Sequence, residues 1–270
     1  MQNKTALWPW LTGAILVAGI GWWLFRPDTT THTTASPPAF PSRTEPPVQA
    51  PPSASAAAPG GPQHPVESPA AADPAIPALA DSDAAAWEAL SNLAGDASVL
   101  DVLLRDHLIQ RLVTMVDNLP RRSATRQSLA LRPLPGELQL RQDEAGATLA
   151  PANAERYAPY VKAFAAVDPQ ALARAYRRFY PLFQQAYVEL GYPDGYFNDR
   201  LVQVIDHLLQ APEPAQPPLV EPNGRGKYRF VDPALESLSV GQKALVRLGP
   251  GQEAAVKRQL RAIRAALTRS

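Results

Sequence analysis

The sequence predicts a mainly α protein laid out in three zones. These are a cytoplasmic stub and single N-terminal transmembrane helix over 1–26, a disordered Pro/Ala-rich linker over 27–80, and a compact helical domain with a small β-hairpin over 81–270. Three observations carry that reading. A charge-free apolar run lies between tryptophan pairs near the N-terminus. The next 54 residues hold 14 Pro and 13 Ala, with Phe40 as their only aromatic. From Trp87 onward, apolar residues recur at helical spacing.

Composition narrows the classes. The chain has 26 Lys+Arg against 25 Asp+Glu, a net charge of +1, so it lacks the dominant basic field of a protein built to grip nucleic acid. It has no Cys, which excludes disulfides, thiolate chemistry and Cys-ligated zinc. Its 30 Pro are more than twice the average usage of about 5%.

The first zone is the 19-residue run Leu7–Phe25. At ~1.5 Å per residue such a helix spans ~28 Å, close to the hydrocarbon thickness of a bilayer. Trp8 and Trp10 mark one interface, Trp22 and Trp23 the other, and Lys4 and Arg26 close the run with charge. The alternative is a cleaved signal peptide, whose apolar core would be shorter and followed closely by small residues. Gly19-Ile20-Gly21 runs instead into Trp22-Trp23. Basic residues flank the run almost evenly, and the expected orientation has a cytoplasmic N-terminus.

The second zone cannot bury enough apolar area to offset chain entropy. Its Pro pairs at 37–38, 46–47 and 51–52 favour extended polyproline II, which makes it a spacer. Pro38-Ala39-Phe40-Pro41 also fits a PxxP ligand, a pattern that Pro-rich spacers match by chance.

The third zone reads as a series of helices. Asp81, Ser82 and Asp83 offer caps for a helix over 84–94 that Gly95 stops. Ser98 starts a short helix to about Leu104. Asp106 opens the next, whose Leu108, Ile109, Leu112, Val113 and Val116 share one face, and Asn118-Leu119-Pro120 ends it. Residues 121–136 read as a basic loop. Glu137–Arg141 and Ala147–Leu149 alternate around the turn 143–146, which predicts the hairpin. Asn153 caps a helix to about Val167.

Asp168-Pro169 starts a long helix that Gly191 stops. Its Leu172, Phe179, Phe183, Ala186 and Leu190 share a face flanked by Tyr176, Tyr180 and Tyr187, with a kink expected at Pro181. After the turn at 192–195, with Asp194 as cap, a helix to Gln210 buries Phe197, Leu201, Val204, Ile205, Leu208 and Leu209. Residues 211–226 read as a Pro-rich connection and 227–231 as a strand. Asp232-Pro233, Ser239 and Pro250-Gly251 start the last three helices, the final one striped by Val256, Leu260, Ile263 and Leu267.

Several of these stretches carry a specific pattern. They are Asp117-Asn118-Leu119-Pro120, Tyr157–Val161, Tyr180–Phe183, the run from Glu189 to Leu209 and the segment Leu235–Leu248. Over nearly all of 83–268 the chain resembles an uncharacterised family of membrane-anchored bacterial proteins, catalogued as a mainly helical domain of unknown function. The resemblance implies a membrane-anchored layout in a Gram-negative envelope and brings no assigned activity or catalytic residues.

The residues themselves show no chemistry that commits. Of four His, two lie in the linker, while His107 and His207 each follow an Asp. Asp199, Asp206 and His207 lie on the solvent half of one helix, so no metal ligand set and no cofactor is expected. Ser239 and Lys243 are four apart, unlike the Ser-x-x-Lys spacing, and Gly224-Arg225-Gly226-Lys227 lacks the spacing of a phosphate loop. No catalytic residue is assigned.

The candidate partner-binding residues are Tyr192, Asp194, Tyr196, Arg200, Gln203 and His207. The last four recur at i, i+4, i+7 and i+11, a polar–aromatic stripe opposite the apolar face. Such a stripe is either a packing layer under a neighbouring element or a recognition surface for a protein or glycan. The basic last helix either touches an anionic surface or pairs with acidic zones of the same domain.

The expectation is an inner-membrane scaffold or binding module with a periplasmic C-terminal domain. Its partners would be the membrane and an envelope protein or peptidoglycan, with no nucleic acid. The alternative is a cell-envelope hydrolase using paired carboxylates among Glu189, Asp194, Asp199 and Asp206.

Overall fold

The computed structural model describes residues 61–66, 76–125, 128–134, 136–224 and 227–269. The span read at 7–25, with Leu7, Trp8, Trp10, Trp22, Trp23 and Phe25, lies outside these residues, as does most of the linker. Among the described residues no helix is long and apolar enough to cross a membrane.

The helices are α1 (Asp83–Leu93), α2 (Leu108–Asn118), α3 (Pro151–Ala165), α4 (Pro169–Glu189), α5 (Phe197–Leu209), α6 (Pro233–Glu236), α7 (Val240–Leu248) and α8 (Pro250–Leu267). Short 3₁₀ turns lie at Leu79–Asp81 and Ala97–Val102. The strands are β1 (Leu140–Asp143), β2 (Gly146–Leu149), β3 (Leu219–Pro222) and β4 (Tyr228–Phe230). The fold is mainly helical with a small antiparallel sheet.

Several ends follow their sequence signals. Asp168 accepts from the Gln170 and Ala171 amides, with Pro169 in the first turn. Asp232 caps α6, and Ser239 with Gln242 forms a capping box on α7. Gly191, at φ 114°, ends α4 in a Schellman pattern. Its amide donates to Val188 and the Tyr192 amide to Tyr187.

Others differ. Asp106 does not cap α2. His107 holds the N-cap position in the left-handed region, and Asp83 takes the His107 and Leu108 amides on its two oxygens, each at 2.8 Å. A carboxylate far away in sequence therefore satisfies the orphan donors. Asn153 is not a cap either: α3 starts at Pro151, and the buried Asn153 side chain exchanges hydrogen bonds with the Gln139 backbone, tying the hairpin to the helix. Nor does Asp194 cap α5; Gln184 of α4 accepts the Phe197 amide at 2.9 Å.

Part of the basic loop over 121–136 packs inward. Leu129, Ala130, Leu131 and Leu134 are buried, and Leu131 bridges to Leu103. The connection over 211–226 contains β3, which joins the hairpin to β4 in the order β1-β2-β3-β4, with Ala147 opposite Val220 and Val220 opposite Phe230. Its apolar signal was only Leu219-Val220 after a Pro pair, too short to read as a strand.

The core centres on α8, which packs on α3, α4, α5 and α7. Val256, Leu260, Ile263 and Leu267 are all buried as expected. Lys257 is buried with them and bonds the Ala211 carbonyl and Glu213, while Arg264 pairs with Asp206. Two of the basic groups of this helix thus meet acids of the same domain. On α4 the expected face is buried at Leu172, Phe179 and Ala186, but Leu190 is 37% exposed because the helix end runs past the core. A smaller core of Val220, Phe230 and Val246 fixes the sheet against α7, with the Arg247 guanidinium 4.5 Å over the Phe230 ring. Burial lowers the Arg247 pKa to about 10.

Part of the stretch read as spacer lies on this domain. The Gln63 and His64 amides donate to Asp199 at 2.9 and 2.7 Å, and Asn198 Nδ2 donates to the His64 carbonyl. Val66 and Ile76 pack against the core. The hydrogen bonds use the backbone of 61–66, which composition does not report.

Candidate functional site

Tyr192, Asp194 and Tyr196 lie in the turn between α4 and α5, and Arg200, Gln203 and His207 follow along α5. The turn is held by Tyr187 and by Asp117. The Tyr192 ring stacks on Tyr187 with centroids 4.6 Å apart and 16° between planes. A Cβ on Gly195 would come within 2.9 Å of the Tyr187 ring, so glycine is what lets the chain pass there. The Tyr192 hydroxyl donates to Asp117 Oδ2 at 3.1 Å.

Asp117 is the hub. Its side chain is 1% exposed at the end of α2. Arg200 Nε reaches one carboxylate oxygen at 2.9 Å, and Arg121 reaches the other at 2.7 Å. Arg200 also donates to the Asp117 carbonyl and to Gln203. A buried carboxylate with two guanidiniums and a phenol is fully satisfied, so it acts as a lock on the turn rather than a general base. Burial pushes the Tyr187 hydroxyl up to about 12.

The stripe does not form one surface. Arg200 and Gln203 are engaged at the Asp117 hub, and His207 Nε2 lies 2.9 Å from Ser239 Oγ. Burial, and then the Arg200 charge, lowers the His207 pKa. Gln242 Nε2 donates to the His207 carbonyl. The packing reading accounts for these contacts. Asp194 and Tyr196 are exposed, and Tyr192 is half-buried.

Exposure adds residues that the sequence reading passed over. Among the described residues four large apolar side chains are exposed, and three of them, Val188, Leu190 and Tyr196, sit at this turn at 40%, 37% and 39%. Asp117 was also missed as a site residue, although an acid closing an apolar helical face is an available signal.

The four carboxylates of the hydrolase reading are dispersed in role. Glu189 is exposed and accepts from Gln185, and Asp194 is exposed. Asp199 holds the 63–64 backbone, and Asp206 forms a two-point pair with Arg264. Among the described residues no three His, Asp or Glu converge on a metal position.

Comparison with known proteins finds one family. Residues 108–264 match the family described as "Protein of unknown function (DUF3014)". No curated protein and no solved structure matches the chain.

Proposed function

The chain belongs to the DUF3014 family of proteins of unknown function, and on that premise we propose that it is a membrane-anchored binding module of the cell envelope. Residues 7–25 hold it in the inner membrane, the Pro/Ala-rich tract spaces it, and the helical domain meets an envelope protein or peptidoglycan on the periplasmic side. The exposed turn carries this reading. Val188, Leu190 and Tyr196 offer apolar and aromatic area to solvent on a backbone fixed by the Tyr192–Asp117 bond. Exposed apolar side chains beside a preorganised turn are area of the kind partner surfaces use.

The test is capture of partners from membranes by the full chain, with peptidoglycan sedimentation as a parallel arm. Leu190→Asp combined with Tyr196→Ala should abolish capture and leave the melting temperature within a few degrees of wild type. Unchanged capture by that variant would overturn the reading of the turn. Protease accessibility in spheroplasts checks the orientation: a protected C-terminal domain would place it in the cytoplasm.

A further inference from the structure

The first turn of α5 holds a piece of the chain's own linker by its backbone. Asp199 accepts the Gln63 amide on one carboxylate oxygen at 2.9 Å and the His64 amide on the other at 2.7 Å. Asn198, fully buried, donates from Nδ2 to the His64 carbonyl at 2.8 Å. The held stretch is Pro62-Gln63-His64-Pro65, and between its prolines those two amides are the only backbone donors. The chain bends at 63–64 and both amides turn to the same carboxylate, the kind of concavity that suits an anion. Asp199 lies in the first turn of a 13-residue helix, whose dipole favours its charge.

We propose that Asn198 and Asp199 form a binding site for a Pro-x-x-Pro segment of a partner protein, and that residues 61–66 fill it as a tethered competitor. Three features carry this. The hydrogen bonds go to main-chain atoms, so a segment that presents two consecutive amides and the carbonyl of the second meets the same groups whatever its central side chains. The resident segment is lightly held: Gly61, Pro62, Gln63 and Pro65 are exposed and only His64 and Val66 are half-buried, so its release uncovers little apolar area. The flanking prolines restrict the free segment and lower the entropy lost when it docks. The site uses none of the apolar side chains of the exposed turn and needs no membrane, so it holds or fails independently of the function proposed above.

The experiment first reads hydrogen exchange in the full chain. The Gln63 and His64 amides should be protected, and Asp199→Ala should speed both at least about tenfold. Gln63→Pro combined with His64→Pro then removes both donors from the linker and leaves the domain's own contacts in place. In a chemical-shift titration this variant should take up the capped peptide Gly-Pro-Gln-His-Pro-Val saturably, with a dissociation constant on the order of 1 mM, the scale of a few net hydrogen bonds. The wild-type chain should bind it at least about tenfold more weakly, because the tethered segment competes. The same peptide with proline at both central positions should not bind. Adding Asp199→Ala to the double-proline variant should abolish uptake and leave the melting temperature within a few degrees. Unprotected amides in the wild type, no saturable uptake by the double-proline variant, or equal uptake by variant and wild type would overturn the proposal. A wild-type dimer that the double-proline variant loses would also overturn it, by giving the site to the linker of a second copy.

Discussion

Arg200 closes a pair of hydrogen bonds onto Asp117, 83 residues earlier in the chain: its Nε reaches the carboxylate at 2.9 Å and its Nη2 the Asp117 carbonyl at 2.9 Å. The contact joins the end of α2 to the first turns of α5. Because Tyr192 reaches the same carboxylate, the shape of the exposed turn is coupled to a buried ion pair. The pair and the surface therefore form one unit: what α2 supplies internally fixes what α4 and α5 present outside.

That coupling sets unequal costs for losing the carboxylate and for losing its outer arginine. Asp117→Ala leaves Arg200, whose side chain is only 22% exposed, without its counter-charge, and should cost about 3 kcal/mol. Arg121→Ala removes a 53% exposed partner and should cost about 0.5 kcal/mol. Urea denaturation of the two variants checks the order. Equal losses would mean that Arg121, not Arg200, neutralises the carboxylate.

The start of α2 gives a second contrast. Asp83→Ala frees two amide donors, His107 and Leu108, and should destabilise by about 1–2 kcal/mol. Asp106→Ala, next to the helix in sequence, loses only an exposed pair with Arg111 and should change stability by less than about 1 kcal/mol. Melting curves on the two variants distinguish a remote cap from a local one.

These two positions show what the sequence made legible. Where a signal is local, it was readable: the Asp168-Pro169 start, the Gly191 stop and the α8 stripe each depend on residues within a turn or two. Where the partner comes from another element, it was not. Asp83 serves a helix 24 residues on, Gln184 caps α5 from α4, and Asp199 binds backbone at 63–64. The same holds at the site. The Tyr192–His207 segment stood out, but only folding brings Asp117 to Arg200 and leaves Val188 and Leu190 outside the core.

Two glycines should respond in opposite directions. A Cβ on Gly241 would overlap Leu208 Cδ2 and lie 3.2 Å from the Leu119 carbonyl, the atom that accepts the Gly241 amide. Gly241→Ala should push α7 off α2 and α5 and cost about 1–3 kcal/mol. Gly251, in the first turn of α8, has nothing within 4 Å of a built Cβ and no positive φ. Gly251→Ala should be neutral or stabilising by up to about 1 kcal/mol. Chemical denaturation midpoints read both.

Glu253, paired with Lys257, makes the core of α8 pH-sensitive. Glu253 is 1% exposed, its nearest oxygen is 3.0 Å from Lys257 Nζ, and neither carboxylate oxygen gains a well-formed hydrogen bond. Burial, the largest effect, raises its pKa above the ordinary carboxylate value despite the Lys257 charge. The sign follows from proton counts. Between the unfolded and the folded pKa the native chain holds the proton more often, so this group's contribution to stability is full below the unfolded value and is lost as pH rises through the folded one. Glu253→Gln keeps the shape and removes the titration, while Lys257 retains the Ala211 carbonyl and Glu213. Groups that titrate alike in both proteins cancel in the difference, which should favour the variant increasingly from about pH 4 to pH 7. Urea midpoints across that range measure it. A difference that stays flat, or turns toward wild type as pH rises, would mean that the attraction of Lys257 outweighs the burial of Glu253.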